Sequence, residues 1–306
     1  MAGLLGVSRN AVWKAVKSLQ EDGYEIEAST NKGYRLSRQS DILSGQSIEK
    51  FLSGNFYSVE YVACTDSTNN LLKTRAAEGA PEGTVVVAGQ QSAGKGRMNR
   101  SFYSPPGTGL YMSVLLRPQV GAEQSLFITA AAAVAVASAI DAVSENTAGI
   151  KWVNDVYLHG RKVCGILTEA SFSMENGGIE YAVLGIGVNI LPPAGGFPLE
   201  IKNLVSTVFT EQTYYPEARS RLAAEILNDF LGLYQGLEQK TFLEEYRRRS
   251  VLANKEITII RGGREQKAVA RGIDDRFRLV AELPDGSQTA LYSGEVSIRY
   301  REEDNK

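Results

Sequence analysis

Two glycines alternate with cationic residues in the short segment Gly94-Lys95-Gly96-Arg97, and Arg100 follows three residues later. The glycines carry no Cβ atom, so their backbone N–H groups can approach an anion closely. The lysine and the two arginines supply charge-assisted donors for phosphate oxygens. The segment therefore predicts a mobile anion-binding loop, although a solvated basic hairpin would have the same composition.

A second group of polar side chains, Asp66-Ser67-Thr68-Asn69, follows an apolar strand pattern and precedes a predicted helix. One of these residues could simply be the N-cap of that helix. The cluster is longer than a cap requires, and its side chains offer both hydrogen-bond donors and acceptors. It therefore also suits a small ligand with a urea or amide head group.

Apolar strand patterns at residues 150–158 and 161–169 predict the two arms of a hairpin, and charged and polar residues interrupt both arms. Because buried charges need partners, Lys151, Asn154, Asp155 and Lys162 are either paired with one another or reserved for a ligand. Asp155 offers the oxygen ligands that suit Mg²⁺, and Lys162 can meet a carboxylate or a phosphate as a point charge. The single histidine, His159, lies in a polar turn pattern, so histidine-dependent nucleophilic catalysis is not indicated.

The elements that must position these residues belong to a chain of 306 residues, long enough for two or three domains. A net charge of −2 does not indicate a polyanion-binding surface over the whole protein. The two cysteines, Cys64 and Cys164, are far apart in sequence and predict reduced thiols in a cytoplasmic protein. The alanine-rich segment 125–140 predicts a buried core helix rather than a membrane span, and no signal peptide pattern opens the chain.

The first forty residues resemble a winged helix-turn-helix domain, with an amphipathic helix for which Ser8 is the predicted N-cap and a basic hairpin near residue 32. A protein-binding helical domain is the alternative. The helix that should complete the core of such a domain would lie before Met1, so the domain is expected to be truncated and its DNA binding weak. The predicted DNA-binding residues are Ser8, Arg9, Asn10, Lys14, Lys32 and Arg35.

Strand and helix patterns continue to the end of the chain. Residues 218–247 have helical periodicity, and short strands separated by turns recur after residue 256, which is typical of a small β-barrel. The predicted fold class is α+β. The predicted domains are residues 1–40, 41–250 and 251–306.

Six motifs occur together in the order found in bacterial biotin–protein ligases, and from residue 4 to about residue 300 the chain resembles that family. The motifs are Asp-Ser-Thr-Asn (66–69), Gln-x-x-Gly-Lys-Gly-Arg-x-x-Arg (91–100), Lys-Trp-x-Asn-Asp (151–155), Arg-Lys-x-x-Gly-Ile-Leu (161–167), Gly-Ile-Gly-x-Asn (185–189) and Arg-Gly-Ile-Asp (271–274). With the N-terminal helix and hairpin, the chain is similar to the bifunctional class that also represses biotin genes. Two alternatives stay open: a mainly DNA-binding, biotin-responsive repressor, and a lipoate ligase, since Lys-Trp-x-Asn-Asp is close to a lipoate ligase motif.

The resemblance implies a central mixed β-sheet like that of class II synthetases and biotin–lipoate ligases, and a C-terminal SH3-like barrel. It implies that biotin and ATP, with Mg²⁺, form biotinyl-5′-AMP, and that biotin then passes to a lysine of a biotin carboxyl carrier protein. It also implies operator DNA as a second partner and a homodimer as the assembly. No membrane partner is expected.

The resemblance assigns a role to each matching residue. The implied biotin-binding residues are Ser67, Thr68, Asn69, Gln91, Lys95, Gly96, Arg97 and Lys162. The implied nucleotide-binding residues are Arg97, Arg100, Phe102, Lys151, Asn154, Asn189 and Arg271. Asp155 would face the metal ion, and Lys162 and Arg97 would be catalytic. Two positions depart from the common family pattern: Lys95 replaces an arginine, and Phe102 stands where many members have tryptophan.

Overall fold

The computed structural model describes residues 2–21, 26–29, 33–36, 42–121, 125–172, 178–261, 264–292 and 295–298. At the N-terminus lie helices α1 (Ala2–Leu5) and α2 (Arg9–Glu21) and a hairpin of strands β1 (Ile26–Ser29) and β2 (Gly33–Leu36). The backbone N–H of Ala11 donates to Ser8 Oγ at 3.1 Å, as expected for a helix cap. The predicted helix and hairpin are therefore confirmed, while Lys32 lies outside the described residues.

The central part of the chain is built on a mixed seven-stranded sheet. Its strands are β3 (Ser58–Val62), β4 (Thr84–Ala88), β5 (Gly109–Leu116), β6 (Gly149–Lys151), β7 (Asp155–Leu158), β8 (Arg161–Phe172) and β9 (Ile179–Asn189). The strand order is β3-β4-β5-β9-β8-β7-β6. Only β3 and β4 pair in parallel, and the remaining neighbours are antiparallel.

Five helices accompany this sheet. They are α3 (Gly45–Glu49), α4 (Thr68–Ala77), α5 (Ser125–Val143), α6 (Ala218–Gln235) and α7 (Leu243–Arg248). Helix α5 is long and apolar enough to cross a membrane, but most of it is buried between the sheet and α6. It is therefore the core helix that the sequence predicted.

The C-terminal part contains strands β10 (Glu256–Arg261), β11 (Arg264–Ile273), β12 (Leu279–Glu282), β13 (Gln288–Leu291) and β14 (Glu295–Ile298). They form an antiparallel sheet in the order β13-β12-β11-β10-β14, with a bulge between Ala270 and Gly272. This sheet is anchored to the central part, because the indole N–H of Trp152 donates to the carbonyl of Phe277 at 2.8 Å. The ring of Phe277 also stacks on Phe242 with 5.1 Å between centroids.

One predicted element is wrong. The run from Ile150 to Leu158 was expected to be a single hairpin arm, but it consists of β6 and β7 separated by a turn at residues 152–154. The turn buries Trp152 and Val153 in the core, and Asn154 Nδ2 donates to the carbonyl of Ile166 at 3.1 Å. A continuous strand would have placed alternate side chains on opposite faces, which these contacts do not allow.

Candidate active site

Two adjoining cavities lie where the loop 90–102 covers the central sheet. The inner cavity lies between the start of α4, this loop, β8 and β9, and it is lined by Ser67, Thr68, Asn69, Gln91, Lys95, Gly96, Arg97, Phe102, Asn154, Lys162, Gly165, Ile166, Leu167, Gly185, Ile186 and Gly187. The outer cavity has a volume of about 370 Å³, and its lining includes Arg100, Lys151, Asp155, Tyr157 and Asn189. Five residues line both cavities: Gly96, Arg97, Phe102, Asn154 and Lys162.

The inner end of the inner cavity is formed by the start of α4. Ser67 is the N-cap residue, but among the described residues its hydroxyl makes no capping hydrogen bond. Asp66 Oδ1 instead accepts from the backbone N–H of Ser67 at 2.6 Å, and a hydrogen bond from Asn70 is the main cause that lowers the pKa of Asp66. Asp66 and Gln91 accept from the first two backbone N–H groups at this helix start, and the Ser67 hydroxyl is left available to a ligand.

Gln91 holds Thr68, the first residue of α4, in place. Its Oε1 atom accepts from the backbone N–H of Thr68 at 2.9 Å, and its Nε2 atom donates to Ser104 Oγ at 2.9 Å. Asn69 points its amide into the protein, where Nδ2 donates to Glu169 Oε2 at 2.8 Å. The structure thus gathers Ser67, Thr68, Asn69 and Gln91 around one cavity, which Asp66 does not line.

The two cations at the centre of the loop reach opposite walls of the site. Lys95 Nζ donates to Asn70 Oδ1 on α4 at 2.6 Å, and Arg97 Nη1 donates to Asn154 Oδ1 at 2.9 Å. Burial is the main cause that lowers the pKa of Arg97, and the nearby Asp155 opposes it. Because an arginine remains charged even so, the loop brings a partly desolvated cation to the junction of the two cavities.

Lys162 lies at the same junction. Its Nζ atom is 2.7 Å from Asp155 Oδ1, and Asn154 Nδ2 donates to the same carboxylate oxygen at 3.0 Å. Lys162 and Asp155 pair with each other, and both also line the outer cavity. A half-buried lysine with one carboxylate partner keeps donors free for an anionic ligand.

Phe102 forms the wall between the cavities by lying over two glycines. Gly165 of β8 and Gly187 of β9 are directly opposite each other in the sheet. A Cβ atom on Gly187 would lie 2.6 Å from Phe102 Cε1, and one on Gly165 would lie 3.0 Å from Lys162 Nζ. Strand glycines often mark such a close approach, and Gly165 and Gly187 stand in the motifs at 161–167 and 185–189.

A third strand glycine makes room for Asn69. A Cβ atom on Gly185 would lie 2.3 Å from Asn69 Oδ1. We expect Gly185→Ala to lower the free energy of unfolding by about 1 to 3 kcal/mol, because the buried Asn69 amide, which is hydrogen-bonded to Glu169 and Ser113, must shift to admit the methyl group. Chemical denaturation measures this change. Gly54→Ala is the matched control, since nothing lies within 4 Å of its Cβ position and it lies outside the helices and strands, and an unfolding midpoint for Gly185→Ala equal to that of the control would contradict the prediction.

Not every predicted residue reaches the site. Arg271 lies on β11 and pairs with Glu282 at 2.9 and 3.1 Å, and it lines neither cavity. The structure therefore does not bring Arg271 to the proposed nucleotide site. Arg9, Asn10 and Lys14 are exposed on α2, far along the chain from the cavities.

Few of the residues that line the two cavities could bind a metal ion. Asp155 is the single acidic residue that lines either cavity within the described part of the chain. In the same part of the chain, no three His, Cys, Asp or Glu side chains group as metal ligands. Mg²⁺ commonly binds through one or two carboxylates together with substrate phosphates and water. The residues therefore fit a metal ion that arrives with a nucleotide, not a resident metal centre.

Matches to known protein families and to known relatives extend over most of the chain. Residues 61–189 match the biotin/lipoate A/B protein ligase family, residues 1–35 match an HTH domain, and residues 253–299 match the biotin protein ligase C terminal domain. The chain is 34% identical to the bifunctional ligase/repressor BirA of Bacillus spizizenii, across 96% of this chain and 91% of the relative. It is 28% identical to BirA of Escherichia coli, across 97% of this chain and 91% of the relative.

A solved structure has the same architecture. The biotin protein ligase from Aquifex aeolicus in complex with biotin and ATP superposes with a TM-score of 0.66 at 25% identity, covering 79% of this chain and 99% of that one.

Proposed function

Because the chain belongs to the biotin protein ligase family, we propose that it activates biotin with ATP and transfers it to a lysine of a biotin carboxyl carrier protein. The observation that carries this proposal is the position of Lys162 and Arg97 at the junction of an inner and an outer cavity. A reaction between two anions needs cations at the point where the anions meet. The inner cavity suits the biotin head group, and the outer cavity suits the nucleotide.

In the first step, a biotin carboxylate oxygen attacks the α-phosphorus of ATP. A bond forms between that oxygen and the phosphorus, and the bond from the α-phosphorus to the bridging oxygen breaks, so pyrophosphate leaves and biotinyl-AMP remains. Lys162 and Arg97 hold the two anions together and stabilise the charge on the phosphoryl oxygens. Phe102, at the wall between the cavities, offers its ring for the adenine to stack on.

We propose that Asp155 holds the Mg²⁺ that accompanies ATP. The ion supplies charge neutralisation on the phosphates when it is bound. Asn154 supports this arrangement by donating to the Asp155 carboxylate at 3.0 Å, which fixes the orientation of that group.

In the second step, an acceptor lysine attacks the acyl carbon of biotinyl-AMP, and AMP leaves. The mixed anhydride reacts with water, so it must be shielded until the carrier protein arrives. The loop contacts from Lys95 to Asn70 and from Arg97 to Asn154 close the loop over the inner cavity. Side-chain hydrogen bonds of this kind can break, so the loop can open again for the acceptor lysine.

The identity of the acid that the protein activates is tested by measuring the exchange of radiolabelled pyrophosphate into ATP. We expect exchange to depend on biotin and to be at least about a hundredfold weaker with lipoate, because buried hydrogen-bonding groups reject a ligand that cannot pair with them. Equal exchange with lipoate would contradict the proposal and indicate a lipoate ligase. Exchange with neither acid would exclude the activity. Acceptor transfer is then measured with a purified biotin carboxyl carrier domain.

A second function, operator binding through α2, is favoured by the HTH match at residues 1–35 and by the exposed cations on this helix. We expect Arg9→Ala and Lys14→Ala each to weaken binding of a biotin operator and to reduce its salt dependence. A gel-shift titration at several salt concentrations measures both effects. Unchanged binding in both variants would remove α2 from the interface, and the expectation of weak operator binding stays a prediction until this titration.

We propose a cytoplasmic location, supported by the two unpaired cysteines, Cys64 and Cys164. A homodimer through an edge of the central sheet is also proposed from the family resemblance. Sedimentation with and without biotinyl-AMP tests this assembly.

A further inference from the structure

Ser113 is a fully buried serine on β5, directly opposite Gly185 of β9. It lines neither cavity, and no motif in the sequence marked it. Its hydroxyl oxygen lies 2.6 Å from Asn69 Oδ1 and 2.7 Å from Thr68 Oγ1. It thus touches two residues of the inner cavity from behind.

The orientation of the Asn69 amide is set by a half-buried ion pair between Lys73 and Glu169. Lys73 forms an ion pair with Glu169 Oε1, and the other carboxylate oxygen accepts from Asn69 Nδ2 at 2.8 Å. Burial opposes ionisation of Glu169, but hydrogen bonds from Lys73 and Asn69 outweigh it and lower the pKa of the carboxyl group. An ionised carboxylate only accepts, so the amide nitrogen of Asn69 must face Glu169 and its oxygen must face Ser113.

A hydroxyl group has one hydrogen to donate. The Ser113 hydroxyl is the donor in both contacts, so its one hydrogen is shared between Asn69 Oδ1 and Thr68 Oγ1. The Thr68 hydroxyl donates its own hydrogen to Gln91 Oε1 at 3.2 Å. Because Thr68 accepts from Ser113 and its hydrogen is directed to Gln91, Thr68 offers an acceptor to the inner cavity.

We propose that Ser113 is a positioning residue, which sets Thr68 as an acceptor and so makes the inner cavity select a ligand that presents N–H to it. This inference rests on the proposed ligase function, in which a ureido N–H of biotin meets Thr68. The dithiolane ring of lipoate has no N–H group to offer at this position. Ser67, whose hydroxyl is free to donate, complements this arrangement by suiting the ureido carbonyl oxygen.

The test is the steady-state kinetics of biotin-dependent pyrophosphate exchange. We expect Ser113→Ala to raise the KM for biotin by about tenfold, because the orientation of the Thr68 hydroxyl is lost. The kcat should change by less than about twofold, because Ser113 contacts neither the carboxylate nor the phosphates. Ser113→Thr, which keeps the hydroxyl group, should restore most of the affinity.

A matched control separates positioning from a general loss of stability. Ser220 is also fully buried, and its Oγ atom is 2.8 Å from Ser47 Oγ, in a hydrogen bond outside the two cavities. Ser220→Ala should leave the KM for biotin unchanged. In a Thr68→Val background, Ser113→Ala should have no further effect on KM, since Ser113 acts through the Thr68 hydroxyl.

The outcomes are distinguishable. Wild-type protein without biotin-dependent exchange overturns the ligase function and this inference together. Normal wild-type exchange with an unchanged KM in Ser113→Ala, or an effect that persists in full beside Thr68→Val, overturns the inference alone. If Ser113→Ala does not fold, Ser113→Cys answers the same question, because a thiol fills the same space but is a weak donor, and an unchanged KM in that variant would equally overturn the inference.

Discussion

Replacing Lys162 by alanine is expected to slow biotin-dependent pyrophosphate exchange by about two to three orders of magnitude. The lysine lies at the junction of the two cavities, 2.7 Å from Asp155, where the carboxylate and the α-phosphate of the proposed reaction must meet. Without its charge, the repulsion between these anions is no longer offset at that point. The effect should appear mainly in kcat, because the head group of biotin is held by other residues.

The fold of the Lys162→Ala variant should be retained, because the lysine is half-buried and its ion pair is partly open to solvent. Circular dichroism and thermal unfolding check this. Lys267→Ala is the control for removal of a lysine, since Lys267 is exposed on β11 and away from both cavities. Exchange in Lys162→Ala at the rate of that control would remove Lys162 from the mechanism.

Adding a single methyl group at Gly187 is expected to lower exchange by about a hundredfold. The new Cβ would lie 2.6 Å from the Phe102 ring, about 1 Å closer than an ordinary carbon–carbon contact. The ring must therefore move, and with it the wall between the two cavities. Displacing one of the reacting groups by about 1 Å can cost a hundredfold in rate.

Phe102 itself supplies the control for this prediction. If the clash with the ring is the cause, the Gly187→Ala substitution should cost far less in a Phe102→Ala background. Exchange kinetics of the wild type, the two single variants and the double variant measure this coupling. Full additivity would show that Gly187→Ala acts through the strand and not through the ring.

Local patterns in the sequence determined most of the elements and many of the residues at the site. The cap at Ser8, the apolar helix α5 and the strand patterns were predicted because each depends on neighbours within a few residues. The basic glycine loop and the polar cluster at 66–69 were predicted as candidate binding residues from residue type and spacing, with a solvated hairpin and a helix cap as the alternatives. The family resemblance then joined these separate motifs into one site.

The tertiary structure alone decided which of these side chains meet. Asn69 contacts Glu169 and Ser113, which are 100 and 44 residues away in the chain. Lys162 forms an ion pair with Asp155, whereas Arg271 pairs with Glu282 outside the cavities. Hydrogen-bond partners across a sheet depend on strand register and on the packing of α4 over the strands, and no local pattern encodes either. The sequence therefore determined the chemistry that the chain could perform, and the fold determined which residues lie together at the site and orient its side chains.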